Sequence, residues 1–174
     1  MTHNRSNDRA YRIRSAEAGD APFLWEMLFQ SLFVREGDPP FERSVLDEPA
    51  IRKYMEDWGR AGDTGFVAES EQGRPLGAVT ARFFDEAHKG YGYVADDVPE
   101  LGMALLPEAR GLGLGTALLE ALFEKLREDG VERVSLSVDP GNEPAVKLYR
   151  RFGFEEAGRE GTSITMTARP GTNS

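Results

Sequence analysis

The sequence contains no cysteine and only two histidines, His3 and His88. The lack of cysteine excludes a disulfide framework, a thiolate nucleophile and a cysteine-based metal site, and two histidines are too few for a multi-histidine site. We therefore expect no metal centre. Long apolar runs are also missing, and the polar first residues lack the apolar segment of a signal peptide. We expect a cytoplasmic protein that does not enter the membrane.

Positive charge is scarce relative to negative charge: 21 Lys and Arg face 30 Asp and Glu, for a formal net charge of −9. Such an excess of acidic groups opposes binding to the phosphate backbone of nucleic acid, so we expect no nucleic-acid partner. The same acidity permits a cationic, amine-bearing substrate, although it can also serve solubility alone.

Residues 101–116 have the pattern of a strand, a break, a glycine-rich turn and the start of a helix. Pro107 has no backbone N–H and predicts the end of the strand. Three glycines then leave the backbone bare, so that a ligand can approach it closely: Gly111, Gly113 and Gly115. Apolar residues recur at helical spacing after this turn.

A helix that begins in such a turn offers unpaired N–H groups and the positive end of its dipole, which suit a phosphate. Arg110 adds a positive charge and a fork of donors at the same place. The alternative is a tight strand-to-helix connection that binds no ligand.

The whole chain predicts a single mixed α/β domain over residues 10–168, with flexible tails at 1–9 and 169–174. The expected order is one strand, two helices, three strands, a helix, a strand, a helix and two strands. Asp20 is the expected N-cap of the first helix, and the second is expected to run from Glu48 to Gly59.

A second pattern lies between Asn142 and Phe154. Asn142 is a natural N-cap, and Tyr149 follows it by about two helical turns, so both face the same way. Parallel strands whose helices leave at their carboxyl ends create a crevice there, and Tyr149 would lie beside it. The alternative for Tyr149 is a core aromatic residue whose hydroxyl is hydrogen-bonded.

The spacing Arg110-x-x-Gly113-x-Gly115, together with the segment from Asn142 to Phe154, resembles the signatures of the GNAT N-acetyltransferase superfamily. The resemblance implies the GNAT fold, a mixed central sheet of about seven strands with flanking helices, and acetyl-CoA as co-substrate. The cofactor-binding residues that it implies are Met103, Ala104, Leu105, Arg110, Gly111, Leu112, Gly113, Leu114, Gly115, Thr116 and Asn142.

The resemblance also implies roles in the chemistry. Tyr149 would protonate the departing CoA thiolate, and Glu100 would take a proton from the amine, directly or through water. The alternative for Glu100 is an ordinary solvated carboxylate. A backbone N–H among residues 103–105 would hold the oxyanion while a primary amine attacks the thioester in a ternary complex.

The sequence does not identify the acceptor amine. Acidic side chains around one loop favour a cationic amine: Asp85, Glu86, Asp96, Asp97 and Glu100. The sequence is also compatible with a homodimer.

Two other functions compete with an N-acetyltransferase. A dinucleotide-binding protein would use the same glycines and Asp139, but Thr116 stands at the third glycine position and too few residues follow for a doubly wound sheet. A non-catalytic module that binds acyl-CoA would keep the glycine-rich turn without needing Tyr149.

Overall fold

The computed structural model describes residues 11–172, which form one seven-stranded sheet in the order β1-β2-β3-β4-β5-β7-β6. All neighbouring strands are antiparallel except β4 and β5, which are parallel. The strands are β1 (Tyr11–Ser15), β2 (Thr64–Ser70), β3 (Pro75–Arg82), β4 (Glu100–Leu105), β5 (Val134–Val138), β6 (Glu155–Glu160) and β7 (Ser163–Ala168). The predicted α/β class and mixed seven-stranded sheet are confirmed.

Four α-helices occur in the described residues: α1 (Ala21–Gln30), α2 (Pro49–Arg52), α3 (Leu114–Glu128) and α4 (Glu143–Arg151). Short 3₁₀ helices cover Ala18–Asp20, Arg43–Asp47, Glu86–His88, Pro107–Ala109 and Pro170–Thr172. The predicted helix from Glu48 to Gly59 is wrong in length, because only α2 is α-helical. The reason is that Asp57 has a φ of 56°, which no α-helix allows, and Arg82 takes the carbonyls of Lys53 and Glu56 at 2.9 and 2.7 Å.

The sheet is covered on both faces because successive strand residues point in opposite directions. Ala68 and Val79 face α3, whose buried residues include Leu118 and Leu122. On the other face, the core consists of Leu24, Met27, Met55, Val67 and Ala78. The elements α1 and α2 therefore cover the face opposite α3.

Strands β4 and β5 separate after a single register pair. Glu100 pairs with Ser135, and no further β4–β5 pair is found in the described chain, whereas β3 pairs with β4 along the whole length of β4. The two parallel strands thus diverge toward their carboxyl ends, and the crevice predicted from the sequence opens between them.

The two predicted tails differ in outcome. Residues 1–9 lie outside the described residues. At the other end, Pro170 is buried and its carbonyl accepts a hydrogen bond from Arg127 of α3 at 2.8 Å, so residues 169–172 pack against the domain instead of forming a tail. Within residues 11–172, no helix has the length and hydropathy needed to cross a membrane, and no group of three or more metal-binding side chains occurs.

Candidate active site

Backbone N–H groups of β4 form one wall of the crevice. Leu106, directly after β4, donates its N–H to the Leu76 carbonyl at 2.9 Å. Because alternate N–H groups along a strand point to opposite neighbours, those of Met103 and Leu105 face β5, while that of Ala104 faces β3. The β4–β5 ladder described here ends before reaching Met103. The amides of Met103 and Leu105 are therefore donors that a ligand's carbonyl oxygen can use.

The turn before α3 presents successive amides to the end of the crevice. Gly111 and Gly113 have left-handed φ values of 78° and 84°, and a Cβ at either would meet no atom within 4 Å. The first amide with a helical partner is that of Ala117, which donates to the Gly113 carbonyl at 3.2 Å. No hydrogen bond from the amides of residues 111–116 is found in the described chain. These amides are donors that an anion could use, as the sequence pattern predicts.

The other residues of the turn differ in which of their atoms are accessible to a ligand. A Cβ at Gly115 would lie 3.2 Å from Leu148 of α4 and 3.5 Å from Met103, so this glycine permits close packing of helix and strand. Leu114 is fully buried and can reach a ligand only through its backbone. Leu112 is 60% exposed, so its side chain is accessible at the turn.

Two guanidinium groups lie beside the start of α3. Nε of Arg110 donates to the Leu105 carbonyl at 3.3 Å, and Arg151 of α4 donates to the Thr116 hydroxyl, also at 3.3 Å. Sequence reasoning missed Arg151, because a basic residue in the last turn of a helix is ordinary. Only its contact with Thr116, 35 positions away, places it near the anion site.

Tyr149 belongs to the apolar core on the α3 side of the sheet. It is 7% exposed, and its ring packs against Phe154 with centroids 5.6 Å apart. Its hydroxyl has no hydrogen-bond partner among residues 11–172, yet it is not among the fully buried unpartnered polar atoms, so solvent reaches it. Burial raises the pKa of Tyr149 to about 12. The hydroxyl is therefore protonated at neutral pH and able to donate to a ligand.

Asn142 occupies the N-cap position of α4, but its side chain makes no capping hydrogen bond. The expected side-chain cap is therefore wrong, although the position is right. The Asn142 backbone carbonyl accepts from Val146 at 3.1 Å instead. Its amide side chain stays available for another partner.

Glu100 begins β4 and is 4% exposed, which excludes an ordinary solvated carboxylate. Oε2 accepts a hydrogen bond from the Tyr54 hydroxyl at 2.7 Å, while Oε1 is buried without a partner in the described residues. Burial raises the pKa of Glu100 to about 7, and the Tyr54 hydrogen bond, the nearby Gly92 amide and the charge of Lys53 oppose that rise. A carboxylate with such a pKa can take up a proton at neutral pH.

Tyr54 is the second residue that sequence reasoning missed. The interpretation of residues 48–59 as one helix gave Tyr54 no role of its own, and it bonds to Glu100 across 46 positions. Its pKa is raised well above 10 by burial and by the adjacent Glu100 carboxylate. Tyr54 also lines a cavity of about 40 Å³ between α1 and β4, together with Leu24, Met27, Thr80, Gly102 and Met103.

The acidic loop is less uniformly negative than its composition suggests. Asp85 caps a 3₁₀ helix and contacts His88 Nδ1 at 2.9 Å, and Glu86 lies 3.6 Å from Lys89. Asp96 accepts a hydrogen bond from the Tyr93 hydroxyl. Asp97 lines a separate depression together with Phe83, Val98 and residues 130–133. The five carboxylates named from the sequence therefore do not form one cluster.

The glycine-rich turn before α3 and the diverging strands β4 and β5 are consistent with the GNAT fold that the sequence resemblance implied. A family model described as the acetyltransferase (GNAT) family matches residues 24–154, and the chain belongs to that family. This match confirms the resemblance to GNAT N-acetyltransferases that the sequence motifs indicated. It also overturns the dinucleotide-binding alternative.

Among curated relatives, a mycothiol acetyltransferase of Arthrobacter sp. (strain FB24) is 32% identical, over 87% of this chain and 55% of that protein. The putative ribosomal protein bS18-alanine N-acetyltransferase of Bacillus subtilis (strain 168) is 38% identical over 40% of this chain and 46% of that protein. The chain spans about half, or less, of the length of the curated relatives it matches.

Solved structures share the fold. The PaiA N-acetyltransferase from Thermoplasma acidophilum, solved in complex with coenzyme A, aligns with a TM-score of 0.68 over 92% of this chain and 99% of that one, at 17% identity. A GCN5-related N-acetyltransferase from Kribbella flavida aligns with a TM-score of 0.66 over 93% of this chain and 99% of that one, at 20% identity.

Proposed function

We propose that this chain transfers the acetyl group of acetyl-CoA to a primary amine by direct attack in a ternary complex. The observation that carries this proposal is the pairing of two features across β4. Donor amides face the crevice on one side of the strand, and a buried carboxylate with a pKa of about 7 lies at its start.

In this proposal the crevice binds the cofactor along its whole length. The amides of residues 111–116 hold the pyrophosphate, with Arg110 and Arg151 supplying positive charge beside it. The amides of Met103 and Leu105 hold the pantetheine arm and the thioester oxygen. The N-terminal position of Asn142 on α4 lets its side chain contact the same arm from the opposite wall.

The chemistry needs two proton transfers. As the amine nitrogen bonds to the thioester carbon, it loses a proton toward Glu100, and an amide of β4 stabilises the oxyanion. When the tetrahedral intermediate collapses, the C–S bond breaks and the Tyr149 hydroxyl gives its proton to the sulfur. A hydroxyl held protonated by burial suits this role, since a thiolate formed away from water is costly.

The acceptor that we propose is an amine with net positive charge, because the chain carries a formal charge of −9. Some relatives are named for mycothiol and one for an alanine of ribosomal protein bS18, so both small molecules and protein N-termini have to be tested as acceptors. A panel of alanine amide, an alanine-initiated peptide, glucosamine and spermidine, each with acetyl-CoA, tests the proposal through CoA release. We expect amine-dependent release with at least one class. Tight acetyl-CoA binding with no release would favour a non-catalytic module.

A further inference from the structure

The carboxylate of Glu100 does not line the cavity between α1 and β4, which we take as the acceptor side of the strand. Its Oε2 is occupied by the Tyr54 hydroxyl at 2.7 Å, and its Oε1 is buried. The loop after β3 covers Oε1 closely, since a Cβ at Gly90 would lie only 2.2 Å from it. An amine in the cavity between α1 and β4 therefore meets Tyr54 before it meets Glu100.

Tyr54 lies between the cavity and the carboxylate. It is one of the residues that line the cavity, and its ring is fixed by an edge-on contact with Phe84, with centroids 5.2 Å apart. Its hydroxyl oxygen donates to Glu100 and accepts the N–H of Tyr91 at 2.6 Å. A phenol oxygen has a second lone pair, which leaves one acceptor position for a further donor.

We propose that Tyr54 is a proton relay between the acceptor amine and Glu100. This inference rests on the acetyltransferase function proposed above and deepens it. As the amine attacks, its N–H proton moves to the Tyr54 oxygen, while the Tyr54 hydroxyl proton moves to Oε2 of Glu100. One O–H bond breaks and another forms at Tyr54, so the tyrosine ends neutral and Glu100 ends protonated. The proton returns to solvent after the product leaves.

The surroundings of Tyr54 favour a concerted transfer of both protons over a stepwise transfer through a free tyrosinate. Its pKa is raised well above 10, so a tyrosinate would be costly, and the two protons must move together. The Tyr91 N–H points at the oxygen and stabilises negative charge that develops there briefly. Lys53 donates to the Lys89 carbonyl at 2.5 Å and so ties the loop to the residues beside Tyr54.

The test compares Tyr54→Phe, Glu100→Gln, their double variant and Tyr93→Phe, using the fastest amine of the panel. Tyr54→Phe keeps the ring and removes only the relay oxygen. Tyr93→Phe is the matched control, because it removes a hydroxyl that binds Asp96 in the same loop. We expect kcat to fall about 10²-fold in Tyr54→Phe and in Glu100→Gln. The double variant should be no slower than either single one, because the two residues act as a unit.

Two further readouts separate a relay from a structural role. In the wild type, kcat should rise with pH through about 7 as Glu100 deprotonates, and this rise should disappear in Tyr54→Phe. In the same variant, the carboxyl pKa of Glu100 measured by carbon-13 NMR should rise, because the lost hydrogen bond had lowered it. Wild-type kcat in Tyr54→Phe, or an unchanged Glu100 titration, would overturn the relay alone. A wild-type protein that acetylates no amine would overturn the relay together with the proposed function.

Discussion

Glu100 and Ser135 form the one register pair that joins β4 to β5 in residues 11–172. The donor amides proposed for the cofactor follow from the separation beyond that pair. On the side facing β5, the amides of Met103 and Leu105 lose their strand partner and become donors for a ligand. The same pair anchors Glu100 at the closed end of the crevice, where burial raises its pKa to about 7.

The glycine-rich turn can be tested with a pair of matched substitutions. Gly113 and Gly130 lie at opposite ends of α3 and have φ values of 84° and 76°, and a Cβ added at either would meet no atom within 4 Å. Alanine at either residue adds left-handed strain of about 1 kcal/mol. We expect both variants to lose similar stability in thermal melts. Only Gly113→Ala should weaken acetyl-CoA binding, by about 10-fold in calorimetry, and equal affinities in the two variants would contradict the pyrophosphate site.

The Tyr149 hydroxyl should matter for turnover and not for folding. Because it has no hydrogen-bond partner in the described chain, Tyr149→Phe loses no folded-state hydrogen bond, and the melting temperature should change little. Loss of the proton donor should lower kcat by about 10²-fold with acetyl-CoA affinity unchanged. Tyr11→Phe, at a partly buried tyrosine that packs on the same core, is the control. Wild-type turnover in Tyr149→Phe would remove this residue from the mechanism.

Burial of Glu100 predicts a pH-dependent stability. Its pKa is raised from 4.5 to about 7 on folding, so between these values the folded state binds a proton that the unfolded state does not. The free energy of unfolding should therefore fall as pH rises through this window, by about 3 kcal/mol at most, and level off above pH 7. Urea titrations at several pH values should show this slope in the wild type and not in Glu100→Gln.

Glu69 provides a control for that experiment, because its pKa is shifted in the opposite direction. It is also buried, but the guanidinium groups of Arg14 and Arg12 lower its pKa. Its stabilising effect is present above pH 4.5 and is lost as the pH falls further, so Glu69→Gln should leave the slope between pH 4.5 and 7 in place. If Glu100→Gln kept the wild-type slope of unfolding free energy against pH, that slope could not come from a buried Glu100 carboxylate.

The charge preference of the acceptor site should depend on ionic strength. If long-range attraction by the acidic surface favours cationic amines, raising the salt concentration screens it. We expect the KM of spermidine to rise more steeply with salt than that of alanine amide, with kcat unchanged. Parallel changes for the two amines would show that the carboxylates around residues 85–97 do not select the acceptor.

Local patterns made most of the fold predictable. Strand alternation, the proline and glycines around residues 107–115 and the helical spacing after them depend on neighbours along the chain, and the structure reproduces them. The length of the second helix was not predictable, because Arg82 of β3 takes carbonyls near residues 53–56 and pairs with Asp63, both buried. Such a contact leaves no periodic signal in the sequence.

Motifs in the sequence named the backbone of the turn and the side chains of Glu100, Tyr149 and Asn142 as candidates, but not Tyr54 or Arg151. Glycines that open a helix predict an anion site, so the turn before α3 could be named as a candidate from the sequence. Tyr54 and Arg151 reach the site from elements that are 46 and 35 positions away from their partners, and neither belongs to a motif. The buried state of Glu100 likewise depends on Gly90, since any side chain there would clash with the carboxylate.

The central claim is that the acetyl group passes directly from acetyl-CoA to the amine. The most direct test traces the acetyl group with an isotope label. The protein is incubated with carbon-13-labelled acetyl-CoA and each amine of the panel, and both the amine and the protein are analysed by mass spectrometry. Direct attack predicts label in an N-acetyl product, equimolar with released CoA, and no acetylated protein intermediate. CoA release without labelled amine, or label that passes through the protein, would contradict direct transfer in the crevice between β4 and β5.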